Sequence, residues 1–353
     1  MTAMPDHPTP GGLQPGSPAA DPAAALRQLI MGFRSTQLVR TAAELGLADH
    51  LTDGPKTAAD LAPLLGADPA ALHRLMRALA SLGLLSEIGG GTYGATALSD
   101  GLRTGVVGSL RGMARVYGAD WLWRAYAQLP WSIATGKAGF DAAHGQPLFA
   151  FLNDHADASA MFHEAMAAFS GQEAAAILAA YDFASAGCVI DVGGGDGTLL
   201  ALIATAYVDL SGILFDQALA AQAAHRTLAA AGVADRIAVC SGDFFESVPQ
   251  GGDFYLLKSV IHDWNDADAV RILETCRRAM ADSTRLLVIE RVVPEGPEPA
   301  EAKLFDINML VMTGGCERTE AEHVALLAKA GFTHARTITT ASPLSLIEAI
   351  PVA

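Results

Sequence analysis

Apolar positions in the first part of the chain recur with a helical period. From Pro22 onward, Leu26, Leu29, Ile30, Phe33, Leu38, Val39, Ala42, Leu45 and Leu47 fall on the spacing of a helix face. Two shorter helices are expected next. One runs from Thr57 to Leu65 with Thr57 as its cap; the other runs from Asp68 to Leu82 with Pro69 at its first position. Leu72, Leu75, Met76, Leu79 and Leu82 form the apolar stripe of the second. The run SEIGGGTYGAT at 86–96 reads as a glycine-turned hairpin. Helices followed by a hairpin make a winged-helix-like arrangement. Residues 106–182 read as all-helical, with Trp121, Trp123, Tyr126 and Trp131 clustered early and Met161, Phe162, Met166 and Phe169 at helical spacing. From Gly187 the rhythm changes. Short apolar runs at 187–192, 211–215, 236–240, 253–258 and 284–290 alternate with helical stretches, and runs at 334–340 and 344–350 close the chain as an antiparallel pair. This predicts an α/β fold: an open, mostly parallel sheet with helices on both faces, behind a smaller helical domain.

Four segments follow. Residues 1–21, rich in Pro, Gly, Ser and Thr, are expected to be a disordered tail; 22–105 form a winged-helix-like packing and dimerisation domain; 106–182 form a helical linker and substrate lid; 183–353 form the catalytic domain.

The most informative stretch is CVIDVGGGDGTLL, Cys188 to Leu200. An apolar run ending in a glycine turn that opens a helix is the first βα unit of a nucleotide-binding sheet. Glycine permits positive φ and lets a ligand approach the backbone, while the helix start offers free N–H groups. Gly193, Gly195 and Gly197 follow G-x-G-x-G, but Thr198 stands where the dinucleotide fingerprint needs a third glycine or alanine. That disfavours a nicotinamide dehydrogenase, and the absence of a following lysine excludes a P-loop. Acids flanking the turn suit a cationic, phosphate-free nucleoside such as S-adenosylmethionine.

Charge narrows the partners. The 353 residues carry 23 Lys and Arg against 38 Asp and Glu, a net charge of −15. Such a surface repels nucleic acid and anionic membranes. A winged-helix regulator would have only His73, Arg74 and Arg77 on its recognition helix, so DNA binding is the weaker reading of that domain. Four cysteines show no metal-ligand spacing, and no secretory signal or membrane span is visible, so a reduced, cytoplasmic setting is expected.

Ligands of an open α/β sheet collect at the carboxyl ends of its strands. The second strand ends in Asp216, whose carboxylate can accept from ribose hydroxyls. The third ends in SGDFFES, bringing Asp243 and Phe244 to an adenine. The fourth leads through Lys258 to His262, and the fifth ends in Glu290. Glu317 lies beyond a later double glycine. Each acid taken singly could cap a helix, and His262 could be a satisfied core residue. Jointly they form a unit able to take a proton from a hydroxyl. A histidine accepts it near neutral pH, a carboxylate on the other ring nitrogen steadies the imidazolium, and no metal is required.

At these residues the chain resembles the S-adenosylmethionine-dependent O-methyltransferases of the plant caffeate and isoflavone type, with their bacterial natural-product relatives. IDVGGGDG, KSVIHDWND (258–266), ERVVP (290–294) and GGCERT (314–319) match that family's motifs, with Cys316 where it has lysine. The resemblance spans residue 25 to the end. It implies a class I methyltransferase sheet and S-adenosylmethionine held by Gly193, Gly195, Asp216, Gln217, Gly242, Asp243, Phe244 and Lys258. It also implies His262 as general base, flanked by Glu290 and Glu317. Phe162, Met166, Asp263, Trp264, Met309 and Met312 would contact a small hydroxylated acceptor, and the N-terminal part would form a homodimer. Some bacterial relatives keep the fold and cofactor but hydroxylate, decarboxylate or catalyse pericyclic steps; the intact His–Glu–Glu set favours methyl transfer.

Overall fold

A computed structural model describes residues 21–106 and 108–352, apart from the side chains of 167–169, 172 and 219. The expected tail, apart from Asp21, and the side chain of Phe169 therefore lie outside the described residues. Asp21 is not tail: its carboxylate accepts the Ala23 amide and caps the first helix.

The chain divides into two compact units. The first takes residues up to Asp120 together with Asp157–Ala168; the second takes Trp121–Ala156 and everything from Phe169 on. The region 106–182, read from sequence as one lid segment, is thus shared between the two units.

In the first unit, helices Pro22–Glu44, Ala58–Leu65 and Pro69–Ser81 precede a small sheet. Thr57 and Asp60 form a reciprocal capping box, and Asp68 caps the helix that opens with Pro69. Strands β1 (Lys56–Thr57), β2 (Leu85–Gly89) and β3 (Thr92–Ala95) pair antiparallel in the order β1-β3-β2. Leu61, Met76, Leu79 and Tyr93 are wholly buried in this unit's core.

The second unit is built on seven strands: β4 (Cys188–Val192), β5 (Ser211–Asp216), β6 (Ile237–Ser241), β7 (Phe254–Lys258), β8 (Arg285–Arg291), β9 (Phe332–Thr339) and β10 (Leu344–Pro351). Their order is β6-β5-β4-β7-β8-β10-β9. All neighbours run parallel except β10, which is antiparallel to both β8 and β9. This is the class I methyltransferase sheet. Two apolar layers cover it. Val189, Leu214, Leu256, Leu287 and Ile289 face one; Ile190, Val192, Tyr255, Leu257 and Val288 face the other. Alternate residues of one strand serve opposite layers, which is why these strands read as continuous apolar runs. The chain order reverses between β4 and β7, so their carboxyl ends flank the crevice where ligands bind. Among the described residues no helix is long and apolar enough to cross a membrane.

Candidate active site

The glycine turn after β4 needs its glycines for distinct reasons. Gly193, Gly195 and Gly197 all have positive φ (71°, 58° and 78°). A Cβ on Gly193 would lie 2.6 Å from Val260 Cγ2, so the turn that carries His262 is packed directly against the glycine loop. A Cβ on Gly195 would meet nothing within 4 Å, leaving the loop open there.

Asp216, at the tip of β5, ties this loop in place. Its Oδ2 accepts the Gly195 amide at 2.8 Å and its Oδ1 accepts the Gln217 amide at 2.6 Å. Gly242 must be glycine because its Cβ would sit 2.7 Å from the Phe215 ring. Asp243 is exposed and accepts the Phe245 amide at 2.8 Å. Phe244 and Phe245 both pack edge-on to Trp264, with centroids 5.9 and 4.7 Å away. Trp264, expected at the acceptor, thus stands with the rings expected at the adenine.

Beneath the loop, Asp191 is 1% exposed and its Oδ1 makes no hydrogen bond. Burial, with Asp216 and Asp196 nearby, pushes its carboxyl up to about 7 against the pull of Lys258. A buried acceptor without a partner beside an open glycine loop fits the ammonium end of S-adenosylmethionine. Lys258 ends β7 and forms an ion pair with Glu173 at 3.1 Å. Glu173, on the helix Ala156–Ala180, is buried, and sequence reasoning passed over it because nothing in an all-helical stretch marked its register.

The chain after Lys258 turns sharply. Ser259 has φ 53°, the one positive φ among described residues other than glycine. A left-handed non-glycine residue costs on the order of 1 kcal/mol and clusters at functional sites. A short 3₁₀ turn, Ile261–Asp263, then presents His262, which is buried. Its Nδ1 is 2.9 Å from Glu317 Oε1 and 3.3 Å from Glu290 Oε2. Its Nε2 is 3.9 Å from Asp263 Oδ1. Burial lowers the imidazole's affinity for a proton, but the carboxylates of Glu290, Asp263 and Glu317 more than reverse that, to about 10. Burial pushes Glu290 up to about 7 even with His262 beside it. The other oxygen of Glu290 accepts the amides of Val260, Ile261 and His262 at 3.0, 2.8 and 3.3 Å.

The carbonyl side of the same turn is held by Arg318, Gly315 and the Cys316 amide, to which the sequence alone assigns no role. Arg318, only 2% exposed, donates to the carbonyls of Ile261 (3.1 Å) and Trp264 (2.8 Å) and twice to Asp266 Oδ1. A Cβ on Gly315 would clash with the His262 carbonyl oxygen. The Cys316 amide donates to that oxygen at 2.9 Å. Only the backbone of residue 316 is used, which explains why cysteine can replace lysine there.

On the helix Glu301–Met312, Met309 and Met312 are buried, and Asn308 accepts a hydrogen bond from the Tyr126 hydroxyl at 3.0 Å. Phe305 of this helix lies 6.4 Å, centroid to centroid, from the His262 ring. Arg291 also packs on this ring, its guanidinium carbon 4.2 Å from the centroid. A desolvated contact of this kind contributes ~2 kcal/mol or more, against the several kcal/mol that burying an ion costs. Phe162 and Met166 are part of the first unit.

Comparison with known proteins agrees with these motifs. Residues 126–333 match the O-methyltransferase domain and residues 27–105 the O-methyltransferase dimerisation domain. The chain is 42% identical over 327 residues to the phenazine O-methyltransferase PhzM of Lysobacter antibioticus, covering 93% of this chain and 96% of that one. It is 38% identical over 319 residues to the 8-amino-8-demethylriboflavin N,N-dimethyltransferase of Streptomyces davaonensis, covering 89% and 91%. The solved structure of CalO1, a methyltransferase in calicheamicin biosynthesis in its S-adenosylhomocysteine-bound form, superposes with a TM-score of 0.81 at 35% identity, covering 94% and 98%.

Proposed function

The chain belongs to the O-methyltransferase family and uses S-adenosylmethionine, and from that premise we propose that it methylates a hydroxyl of a small aromatic secondary metabolite with His262 as general base. The cofactor supplies an electrophilic methyl group on a cationic sulfur. The glycine loop, Asp191, Asp216, Asp243, Phe244 and Lys258 are the residues assigned to hold it. The acceptor hydroxyl faces Nε2, the ring nitrogen turned away from Glu290 and Glu317. His262 would take the hydroxyl proton there as the oxygen bonds to the methyl carbon, whose bond to sulfur breaks with its electron pair left on sulfur. The two glutamates stabilise the resulting imidazolium, and alignment supplies most of the acceleration.

The observation that carries this reading is the double carboxylate grip on Nδ1, at 2.9 and 3.3 Å, in a turn packed against Gly193. The grip also raises a demand. With its pKa near 10 the resting imidazole is protonated at neutral pH, whereas a base must begin neutral. A cationic cofactor held by the glycine loop would lower the proton affinity of His262, in the direction a base requires.

The experiment is transfer of labelled methyl to a panel of hydroxylated arenes by wild type and His262→Ala. The substitution should cut turnover by ~10²–10⁴-fold while S-adenosylhomocysteine binds within a few-fold of wild type. Turnover within tenfold of wild type would refute the general-base role. Release of S-adenosylhomocysteine in step with product separates methylation from non-methylating chemistry. Arylamine acceptors test the second reading, N-methylation, which the riboflavin-type relative favours.

The same reading includes a homodimer. Leu26, Leu29 and Ile30 are 58–63% exposed on the first helix, an apolar face that a dimerisation partner would cover. Replacing Leu29 and Ile30 with glutamate should yield monomers in analytical ultracentrifugation.

A further inference from the structure

Arg291 is the last residue of β8, directly after Glu290, at the strand end where ligands of such a sheet gather. It is 7% exposed, and its Nε is buried without a hydrogen bond. Among the described residues no carboxylate forms an ion pair with it and no oxygen accepts from its side chain. Its close neighbour is the Phe305 ring at 4.2 Å, and the same ring is the 6.4 Å neighbour of His262. The base and the cation therefore flank one aromatic side chain. A guanidinium cannot shed its proton to escape burial, and the face of a ring does not replace a hydrogen-bonding anion. The acids nearest the base do not serve as its partner. The charges of Glu290 and Glu317 lie against His262 instead, and Oε1 of Glu290 also accepts three amides.

We propose that Arg291 is the anion subsite of the acceptor site, so that the acceptor is an aromatic hydroxy acid with its hydroxyl at His262, its ring beside Phe305 and its carboxylate on the guanidinium. The proposal rests on the reading of His262 as the base facing the acceptor hydroxyl. The planar fork of an arginine matches a carboxylate with two parallel hydrogen bonds and so fixes orientation as well as charge. An acceptor held in this way presents a single hydroxyl to Nε2, which makes Arg291 a determinant of which oxygen is methylated.

Two measurements test it. The first needs no turnover. With S-adenosylhomocysteine present, sodium 1-naphthoate, which has a carboxylate but no hydroxyl to methylate, should raise the melting temperature of wild type by a few degrees. It should leave Arg291→Met unmoved, and 1-naphthamide should move neither. Without added ligand, Arg291→Met should melt at or above wild type, because an unpaired buried charge has been replaced by an apolar chain of similar length. A lower melting temperature would mean the guanidinium already has its partner. That outcome, or an equal or absent naphthoate shift in the two proteins, overturns the proposal. The second compares hydroxynaphthoic and hydroxybenzoic acids with their methyl esters. Wild type should favour the acids by about tenfold or more in kcat/KM, and Arg291→Gln should bring that ratio towards one through the KM of the acids. Equal use of acid and ester by wild type also overturns it. An Arg291-dependent naphthoate shift in a protein whose His262→Ala variant still methylates would leave the subsite standing and refute the base.

Discussion

Glu290 holds His262 from two directions at once. One carboxylate oxygen accepts the His262 amide at 3.3 Å and the other lies 3.3 Å from its Nδ1. A single side chain at the tip of β8 thus holds the backbone of the proposed base by hydrogen bonds and sets a negative charge beside its ring. Glu290→Gln separates these duties, since an amide oxygen still accepts from the turn while the negative charge is lost. The expected result is a fall in kcat of ~10²-fold with cofactor affinity retained. The pH–rate profile should also shift to lower pH, because a carboxylate that raised the imidazole's pKa has gone. A profile that falls in height without moving would assign Glu290 to the backbone alone.

The same group links protonation to stability. His262 titrates near 10 in the folded, ligand-free protein against 6.5 for an ordinary histidine. The folded state therefore holds a proton that the unfolded chain releases. The stability this contributes is complete below about pH 6.5 and is lost as pH rises towards 10. Glu290 and Asp191, both raised to about 7, act in the same sense at lower pH; their contribution fades between the ordinary carboxylate range and 7. Thermal melts of ligand-free protein should decline from pH 7 to pH 10, with a shallower decline for His262→Gln. Parallel curves for the two proteins would contradict the raised value.

The parts of this site legible in the sequence are those where chemistry and strand period coincide. The acids at 216 and 290 close apolar runs, and a strand tip is where an acid after such a run must stand. The sheet was readable for the same reason, since strands buried on both faces are continuously apolar. Glu173, Phe305 and Arg291 were not legible. Their importance lies in partners far along the chain, Lys258 for Glu173 and one another for the other two. No local pattern records such pairings. Arg318 and Gly315 lay inside a quoted motif, yet their roles depend on the backbone of residues 261–264 passing beside them. The division of residues 106–182 between two units escaped notice because a helix's period says which face is apolar, not which unit covers it.

The ion pair of Lys258 with Glu173 makes a stability prediction as well as a binding one. Both side chains are largely enclosed, at 16% and 8% exposure. Lys258→Met leaves Glu173 as a buried carboxylate without its cation, which costs ~3–5 kcal/mol. The double variant Lys258→Met with Glu173→Leu should recover most of that stability, since an apolar pair replaces an ionic one. Cofactor binding should stay weak in both, because Lys258 also supplies the positive charge that draws down Asp191. Denaturant unfolding and calorimetric titration with S-adenosylhomocysteine check the two halves separately.

His262, Glu290 and Glu317 offer one nitrogen and two oxygens within 4.8 Å of one another, a set that a divalent ion could in principle share. The proposed mechanism assigns a proton to that place. Nδ1 and Glu317 Oε1 are at hydrogen-bonding distance, and three amides already occupy Oε1 of Glu290. Turnover should therefore be unchanged after dialysis against EDTA and should not rise with added zinc or magnesium. Loss of activity on chelation that zinc restores would move this cluster from base to metal centre.

Arg318 and Gly315 act on the base without touching it. Arg318 ties together the carbonyls of Ile261 and Trp264, on either side of His262, and Gly315 leaves the room in which the His262 carbonyl sits. Gly315→Ala drives a methyl group into that carbonyl oxygen. The turn must move, at ~1–3 kcal/mol or more in stability. A displacement of about 1 Å in a reacting group can cost ~10²-fold in rate, so kcat should fall by about that factor with little change in cofactor affinity. Arg318→Lys removes the fork that reaches Ile261, Trp264 and Asp266 together. It should lower kcat less than Arg318→Ala does, and guanidinium added at millimolar concentration should restore part of the alanine variant's rate. Rescue in kcat without a matching change in melting temperature marks Arg318 as a positioning residue. A rate that merely follows the fraction of folded protein would reduce it to scaffold.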